Sequence, residues 1–326
     1  MLSRKHLPPS AKVAARLVAW AWASSAALLL GAGPSIEIHP ATLNLEGNFA
    51  RAQLLARTVS DAPQRAADLT RDVEWTSSDP AVVTVNERGA LLAVSDGAAV
   101  ISARLSDGAT TEANITVTGV LATPAIDYSR DVLPILSKAG CNAGACHASQ
   151  YGKGGFKLSV FAFEPSNDYE AIVRDRAGRR VNMIQPEASL LLLKPTMEVA
   201  HGGNKRFDRD SIDYRILHAW LASGADAPGK DDPEVSKIEI TPQRRVGEPG
   251  FTQQLRVTAT YSDGRTADVT ALCQYDSMDE GVAAVHESGF VKALGRGQAP
   301  IMVRFRGQAE ISMAVVPFTD SVKLAG

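Results

Sequence analysis

The stretch SSDPAVVTVNERGALLAVSDGAAVISA, residues 77–103, decides the fold of much of this chain. A valine-rich run is followed by a turn at Gly89, and apolar residues then recur at every second position at Ile101, Ala103 and Leu105. Alternation with a period of two, broken by Gly, Asp and Ser turns at short spacing, is typical of antiparallel strands in a sandwich. The stretch therefore predicts an all-β module.

The same pattern returns 200 residues later as SMDEGVAAVHESGFVKALGRGQAPIMV, residues 277–303. A shift of 200 residues superposes eight identical pairs: Asp68/Asp268, Thr70/Thr270, Val82/Val282, Val85/Val285, Gly89/Gly289, Ala93/Ala293, Gly97/Gly297 and Ile101/Ile301. With a two-residue slip, the opening IEIHP at 36–40 also matches IEITP at 238–242. The chain is therefore predicted to contain two copies of one module.

The two stretches resemble the bacterial Ig-like domain of group 2, with its aromatic-led strand, its Ser/Asp turn and its glycine-punctuated valine strands. The resemblance covers both copies and implies an Ig-like sandwich for each. It implies little about activity, because sandwiches of this kind serve as spacers, adhesion modules and docking surfaces.

Three residues of the repeat have predicted core positions. Trp75 aligns with Tyr275, and both are expected to pack between the two sheets rather than to stack on a sugar. Cys273 aligns with Val73, an apolar strand position, and is expected to be a buried free thiol. That assignment leaves Cys141 and Cys146 as an even pair.

Composition narrows the function classes. The 326 residues predict two or three domains. With 34 Lys+Arg against 36 Asp+Glu and a formal net charge of -2, the chain has no overall positive field for a nucleic acid. We also find no nucleophile with a base and an orienting group, so the sequence predicts no enzyme.

The N-terminus carries an export pattern. Residues 1–16 contain Arg4, Lys5, Lys12 and Arg16 and no acidic residue, and an apolar run extends from Leu17 to Gly33. This order is typical of a secretory signal peptide. An uncleaved membrane anchor is the alternative, and it would be the chain's sole contact with a membrane. The sequence therefore predicts export to the periplasm or cell surface.

The segment between the copies, 120–230, does not repeat and is expected to hold the chemistry. It has a predicted helix near each end, the first capped by Ser129, and it contains the arrangement Cys141-x4-Cys146-His147. The shorter C-x2-C-H form attaches haem c covalently, with the His as an iron ligand. A disulfide that closes the loop is the second interpretation, and a zinc site is the third.

The stretch GCNAGACHASQYGKGGFKLSVF and the terminal AWLASGADAP also resemble the cytochrome c-like domain of the planctomycete type. This resemblance implies covalent haem on Cys141 and Cys146, with His147 as the proximal ligand. The sequence departs from relatives at His201-Gly202-Gly203, where many have a Met-Pro-Pro haem ligand. His201 is therefore the expected distal ligand, and Met197 is the second choice.

The predicted architecture has a signal peptide at 1–33, Ig-like sandwiches at 34–119 and 231–318, a small all-α cytochrome c-like domain at 120–230 and a tail at 319–326. The predicted function is haem-mediated electron transfer to an unidentified redox partner protein, with the sandwiches as spacers. The alternative is a non-catalytic surface-binding or adhesion protein, in which a disulfide closes 141–147 and the sandwiches bind polysaccharide or protein.

Overall fold

The computed structural model describes residues 35–318. The predicted signal peptide at 1–33 and the tail at 319–326 lie outside this range. Within it, every helix is too short or too polar to cross a membrane.

The first sandwich comprises nine strands: β1 Ile36–His39, β2 Thr42–Glu46, β3 Arg51–Gln53, β4 Leu55–Thr58, β5 Glu74–Ser77, β6 Val83–Val85, β7 Ala90–Ala93, β8 Gly97–Arg104 and β9 Thr110–Thr118. They form a four-stranded sheet in the order β2-β9-β8-β5, a three-stranded sheet β3-β7-β6 and the pair β1-β4. The β2–β9 pairing is parallel, and the others are antiparallel.

The second sandwich comprises ten strands: β10 Val235–Thr241, β11 Arg244–Val246, β12 Thr252–Gln254, β13 Arg256–Tyr261, β14 Thr266–Asp268, β15 Gln274–Ser277, β16 Ala283–Val285, β17 Phe290–Ala293, β18 Gly297–Phe305 and β19 Gln308–Val316. Its sheets have the orders β11-β19-β18-β15, β12-β17-β16 and β10-β13-β14. The first two reproduce the topology of the first sandwich, so the prediction of two copies of one Ig-like module is confirmed.

Both cores are built by strand alternation, and an aromatic side chain occupies the same position in each copy. Along β8, Ala99, Ile101 and Ala103 are buried while the residues between them face outward. Trp75 Nε1 donates to the Thr70 carbonyl at 2.8 Å, and the Tyr275 hydroxyl donates to the equivalent Thr270 carbonyl at the same distance. Cys273 is fully buried among core residues, as expected for a small apolar side chain.

The segment between the sandwiches is less helical than the predicted all-α cytochrome c-like domain at 120–230. Its α-helices are α1 Leu133–Lys138, α2 Pro165–Val173, α3 Leu190–Leu193 and α4 Ile212–Ala222. The longest has 11 residues, and the rest of the segment consists mainly of turns, loops and single helical turns. The first helical stretch begins at Tyr128, and Asp127 rather than Ser129 caps it, since the Asp127 carboxylate accepts from the Arg130 amide at 2.6 Å.

The two sandwiches contact each other directly through edge strands. The Gln254 amide of β12 donates to Asp68 Oδ2 at 2.6 Å, and the Gln53 amide of β3 donates to Asp268 Oδ2 at 3.1 Å. Each carboxylate thus satisfies an edge-strand N–H of the other copy, which would otherwise be unpaired.

The middle segment packs against both sandwiches. On the first, Arg51 pairs with Asp213 of α4 at 2.8 Å. On the second, the Gln274 side-chain Nε2 donates to the Ser137 carbonyl of α1 at 2.6 Å, and Lys138 Nζ donates to the Cys273 carbonyl at 2.6 Å. These contacts fix all three parts in one body.

Candidate functional site

The loop 141–147 is closed by backbone hydrogen bonds. The Cys146 amide donates to the Ala143 carbonyl at 2.9 Å, and the His147 amide donates to the Cys141 carbonyl at 3.1 Å. Both cysteines are free thiols. The disulfide of the alternative prediction is therefore not formed, and burial raises the pKa of the Cys141 thiol to about 11.

His147 is oriented by the segment that follows it. Its Nδ1 lies 3.1 Å from the Phe156 carbonyl, and its ring centroid lies 4.5 Å from that of Phe156. Burial lowers the pKa of His147, and the neighbouring His201 lowers it further. The imidazole is therefore held mainly in its neutral form near pH 7.

His201 faces His147 across a cleft. The two ring centroids are 6.4 Å apart, and the rings are within 15° of parallel. His201 Nδ1 lies 2.9 Å from the Asn204 carbonyl. A Cβ at Gly203 would lie 2.7 Å from His201 Cε1, so a larger residue there would displace the His201 ring.

The predicted site residues are only partly brought together. Cys141, His147 and His201 line one cleft of about 320 Å³. Cys146 does not line it, and its sulfur accepts a long contact from Arg206 Nη2 at 3.8 Å. Met197 is 45% exposed and also lies outside the lining, so the second-choice ligand is not placed beside His147.

A second feature is the outer face of the sheet β2-β9-β8-β5. Five exposed hydroxyl and amide side chains lie at alternate positions of the paired strands β2 and β9, flanked by the carboxylates of Glu46 and Glu112: Thr42, Asn44, Asn114, Thr116 and Thr118. The register pairs Thr42 with Asn114 and Asn44 with Thr116. We refer to these five residues as the Thr/Asn face.

The equivalent face of the second sandwich has a different chemistry. The pairs Pro300–Met313 and Met302–Ile311 occupy the positions of Val100–Asn114 and Ser102–Glu112. Ile311 is 41% exposed. The two copies thus share a fold but present unlike surfaces.

The Thr/Asn face was not singled out from the sequence. The signal was present in TTEANITVT, residues 110–118, where polar residues occupy every second position. The same alternation is needed simply to expose one side of any sheet, and so it does not distinguish a binding face from a solvated one.

These structural features define a protein built from two Ig-like sandwiches. Comparison with protein families matches residues 34–117 and 234–305 to the bacterial Ig-like domain of group 2. The chain therefore contains two domains of this family, as the sequence predicts.

Comparison with individual proteins gives distant relatives. Ice-binding protein 1 of Shewanella frigidimarina (strain NCIMB 400) is 26% identical over 284 residues, which cover 86% of this chain and 29% of that protein. The chain thus spans less than a third of this relative. Among solved structures, domains 5-6 of the S-layer protein SbsC match 88% of this chain and 100% of theirs at 9% identity, with a TM-score of 0.32. Extracellular cadherin domains 3-6 of protocadherin gamma B2 match 89% and 52% at 11% identity, with a TM-score of 0.19.

The prediction of a covalent haem c is wrong. Residues 35–318 hold no group of three or more His, Cys, Asp and Glu side chains that could bind a metal ion. The comparisons identify the Ig-like domains and a relative named for ice binding. They do not support a cytochrome c-like domain at 120–230 or a redox partner. The zinc interpretation fails on the same observation. The comparisons agree with the prediction that the chain is not an enzyme.

Proposed function

We propose that this chain is an exported, non-catalytic protein that binds a polysaccharide surface through the Thr/Asn face of its first sandwich. The observation that carries the proposal is the face itself, on which five exposed hydroxyl and amide side chains lie on two paired strands. The relative named for ice binding and the Ig-like family support a role in surface binding.

The chemistry of the face suits a carbohydrate. Side chains on one side of a strand repeat about every 6.8 Å, and neighbouring strands lie about 4.8 Å apart. Hydroxyl and amide groups both donate and accept hydrogen bonds, as sugar hydroxyls do. Asn114 and Thr116, at the centre of β9, have neighbours on both sides, whereas Thr42 and Asn44 lie on the edge strand β2.

The face is held rigidly. Beneath it, Ala113, Ile115 and Val117 are buried in the first core. The contacts of the first sandwich with the second and with α4 hold it in the larger body. A rigid face loses little conformational entropy on binding, and so weak individual contacts add up to useful affinity.

The test uses sedimentation of the full chain with insoluble chitin, isolated peptidoglycan or ice crystals. Asn114→Ala combined with Thr116→Ala removes the two central polar groups, and Thr84→Ala, on the opposite sheet, is the matched control. Loss of two hydrogen-bonding groups should weaken binding about tenfold to whichever polysaccharide the wild type binds. The control should bind as the wild type does.

Either of two results would overturn the proposal. The wild type could fail to bind any of the polysaccharides, or the double variant could bind as strongly as the Thr84→Ala control. Binding to ice alone, lost in the double variant, would replace the polysaccharide with ice as the surface recognised. Thermal melts of all three proteins establish that the exposed substitutions leave the fold intact.

A further inference from the structure

The cleft between His147 and His201 has a strongly asymmetric lining that the proposed function does not use. Its charged lining residues are all basic: Lys153, Arg176, Arg179, Arg180 and Lys194. No Asp or Glu lines it, and the nearest carboxylate partner of these cations is Asp175, which lies 3.8 Å from Arg180. Five cations in one cleft favour an anionic ligand.

Two of the five cations form neither an ion pair nor a side-chain hydrogen bond among the described residues. Within residues 35–318, Arg176 and Arg179 form no ion pair, and both are exposed. Lys153 and Lys194 donate to the carbonyls of Gly202 and Ala200, at 3.1 and 3.0 Å. Each lysine ammonium has three N–H donors and keeps two of them, whereas the Arg176 and Arg179 guanidiniums have all their donors free and can pair with an anion in bidentate geometry.

Arg180 is held in place from within the protein. Its Nη1 donates to the Ala171 carbonyl at 2.7 Å, and its guanidinium lies 4.4 Å from the Phe156 ring centroid. Burial lowers the pKa of Arg180, the Asp175 carboxylate opposes this shift, and the positive charges of Arg176 and Arg179 add to the lowering. A bound anion would relieve this mutual repulsion.

The remaining wall of the cleft is mostly apolar. It is formed by Leu136, Phe156, Leu158, Leu190 and Leu191. A volume of about 320 Å³ lies in the range of small-molecule sites. Arg176 and Ala177 also have left-handed backbones, with φ of 52° and 56°, and such strain often accompanies functional loops.

We propose that this cleft binds an amphipathic organic anion. Its apolar body lies against the leucines and Phe156, and its carboxylate or sulfonate group lies between Arg176 and Arg179. An inorganic anion would leave the apolar wall wet, and a neutral apolar molecule would leave the guanidiniums unpaired. Both parts of the ligand are therefore needed for affinity.

The probe is 8-anilinonaphthalene-1-sulfonate, titrated by fluorescence against the full chain. N-phenyl-1-naphthylamine has the same aromatic body without the sulfonate, and sodium sulfate supplies the anion alone. The test variant is Arg176→Gln combined with Arg179→Gln. The matched control is Arg174→Gln, an exposed arginine of the same segment that pairs with Glu170 outside the cleft.

We expect one sulfonate probe per chain, with affinity about tenfold weaker in the double variant because two charge-assisted contacts are lost. Arg174→Gln should bind as the wild type does, and the neutral probe should bind weakly to all three proteins. Equal sulfonate affinity in the double variant and in the wild type would overturn the proposal. Sodium sulfate that competes at the same concentration as the probe would also overturn it, since the apolar wall would then contribute nothing.

Discussion

Asp68 and Asp268 occupy equivalent positions in the two sandwiches, and each carboxylate accepts a backbone hydrogen bond from the other copy. Asp68 Oδ2 accepts from the Gln254 amide at 2.6 Å, and Asp268 Oδ2 accepts from the Gln53 amide at 3.1 Å. Each aspartate also accepts from the threonine two residues later within its own copy. The repeated sequence thus produces a reciprocal contact that joins the copies.

We predict that both aspartates stabilise the fold, and that Asp268 does so more strongly. Asp68→Ala leaves the Gln254 and Thr70 amides without acceptors and should cost about 1–3 kcal/mol of unfolding free energy. Asp268→Ala also leaves the buried Arg256, which is 2.9 Å from Asp268, without its partner and should cost about 3–5 kcal/mol. Urea denaturation measures both costs, and the exposed neighbour Asp72→Ala should stay within about 0.5 kcal/mol of wild type. A reversed order of the two costs would contradict the role of Arg256.

The contribution of Asp68 to the unfolding free energy should depend on pH with a sign opposite to that of most carboxylates. Burial raises the pKa of this carboxyl above its ordinary value of 3.8 despite its hydrogen bonds. The native state then holds more protons than the unfolded state between the two pKa values, and so this group's contribution to stability falls as the pH rises through that window. The unfolding free energy of wild type minus that of Asp68→Asn should therefore decrease as the pH rises from below 3.8. Asp263, whose pKa Arg265 lowers, supplies a control of opposite sign. A difference for Asp68 that grew with pH would show that the hydrogen bonds outweigh burial.

The internal repeat supplies a natural test of the core aromatics. Trp75→Ala should cost about 3–5 kcal/mol, because it removes a buried ring. Trp75→Tyr introduces the residue of the second copy, whose hydroxyl reaches the equivalent carbonyl, and should cost less than Trp75→Phe by about 1 kcal/mol. Tyr275→Phe should lose about the same amount. Thermal or urea unfolding checks all four variants, and equal stability of Trp75→Tyr and Trp75→Phe would show that the polar tip contributes nothing.

The three thiols should differ in reactivity. Burial raises the pKa values of Cys141, to about 11, and of Cys273, well above its ordinary value, so that both are almost fully protonated at pH 8. Cys141 and Cys146 are both half-buried, and the Cys146 sulfur contacts Arg206 Nη2 at 3.8 Å. Iodoacetamide at pH 8 should therefore label Cys146 at least about tenfold faster than either other thiol. Cys146→Ser should abolish the fast phase, and a fast phase that persists in this variant would place the reactive thiol elsewhere.

The sandwiches could be predicted because their signal is local and occurs twice. Alternation at Ile101 and Ala103 sets which side of β8 is buried, and the matching positions 200 residues later repeat the same physical requirement. The structure of the middle segment was harder to predict, because its short helices depend on tertiary packing rather than on a long periodic pattern. The Cys141-x4-Cys146-His147 motif suggested haem from its spacing and from a family resemblance, but neither reveals which other side chains face the motif.

The sequence by itself determined the two Ig-like modules, their buried aromatics and the buried thiol of Cys273, since each follows from periodicity and from comparison of one copy with the other. Only the tertiary structure decided that Asp68 and Asp268 join the copies, that His147 and His201 face each other, and that Arg176 and Arg179 lie at an apolar cleft. These relationships join residues that are far apart in the chain or lie on irregular loops. Their positions follow from how the three parts pack, which no local pattern of hydrophobic residues specifies.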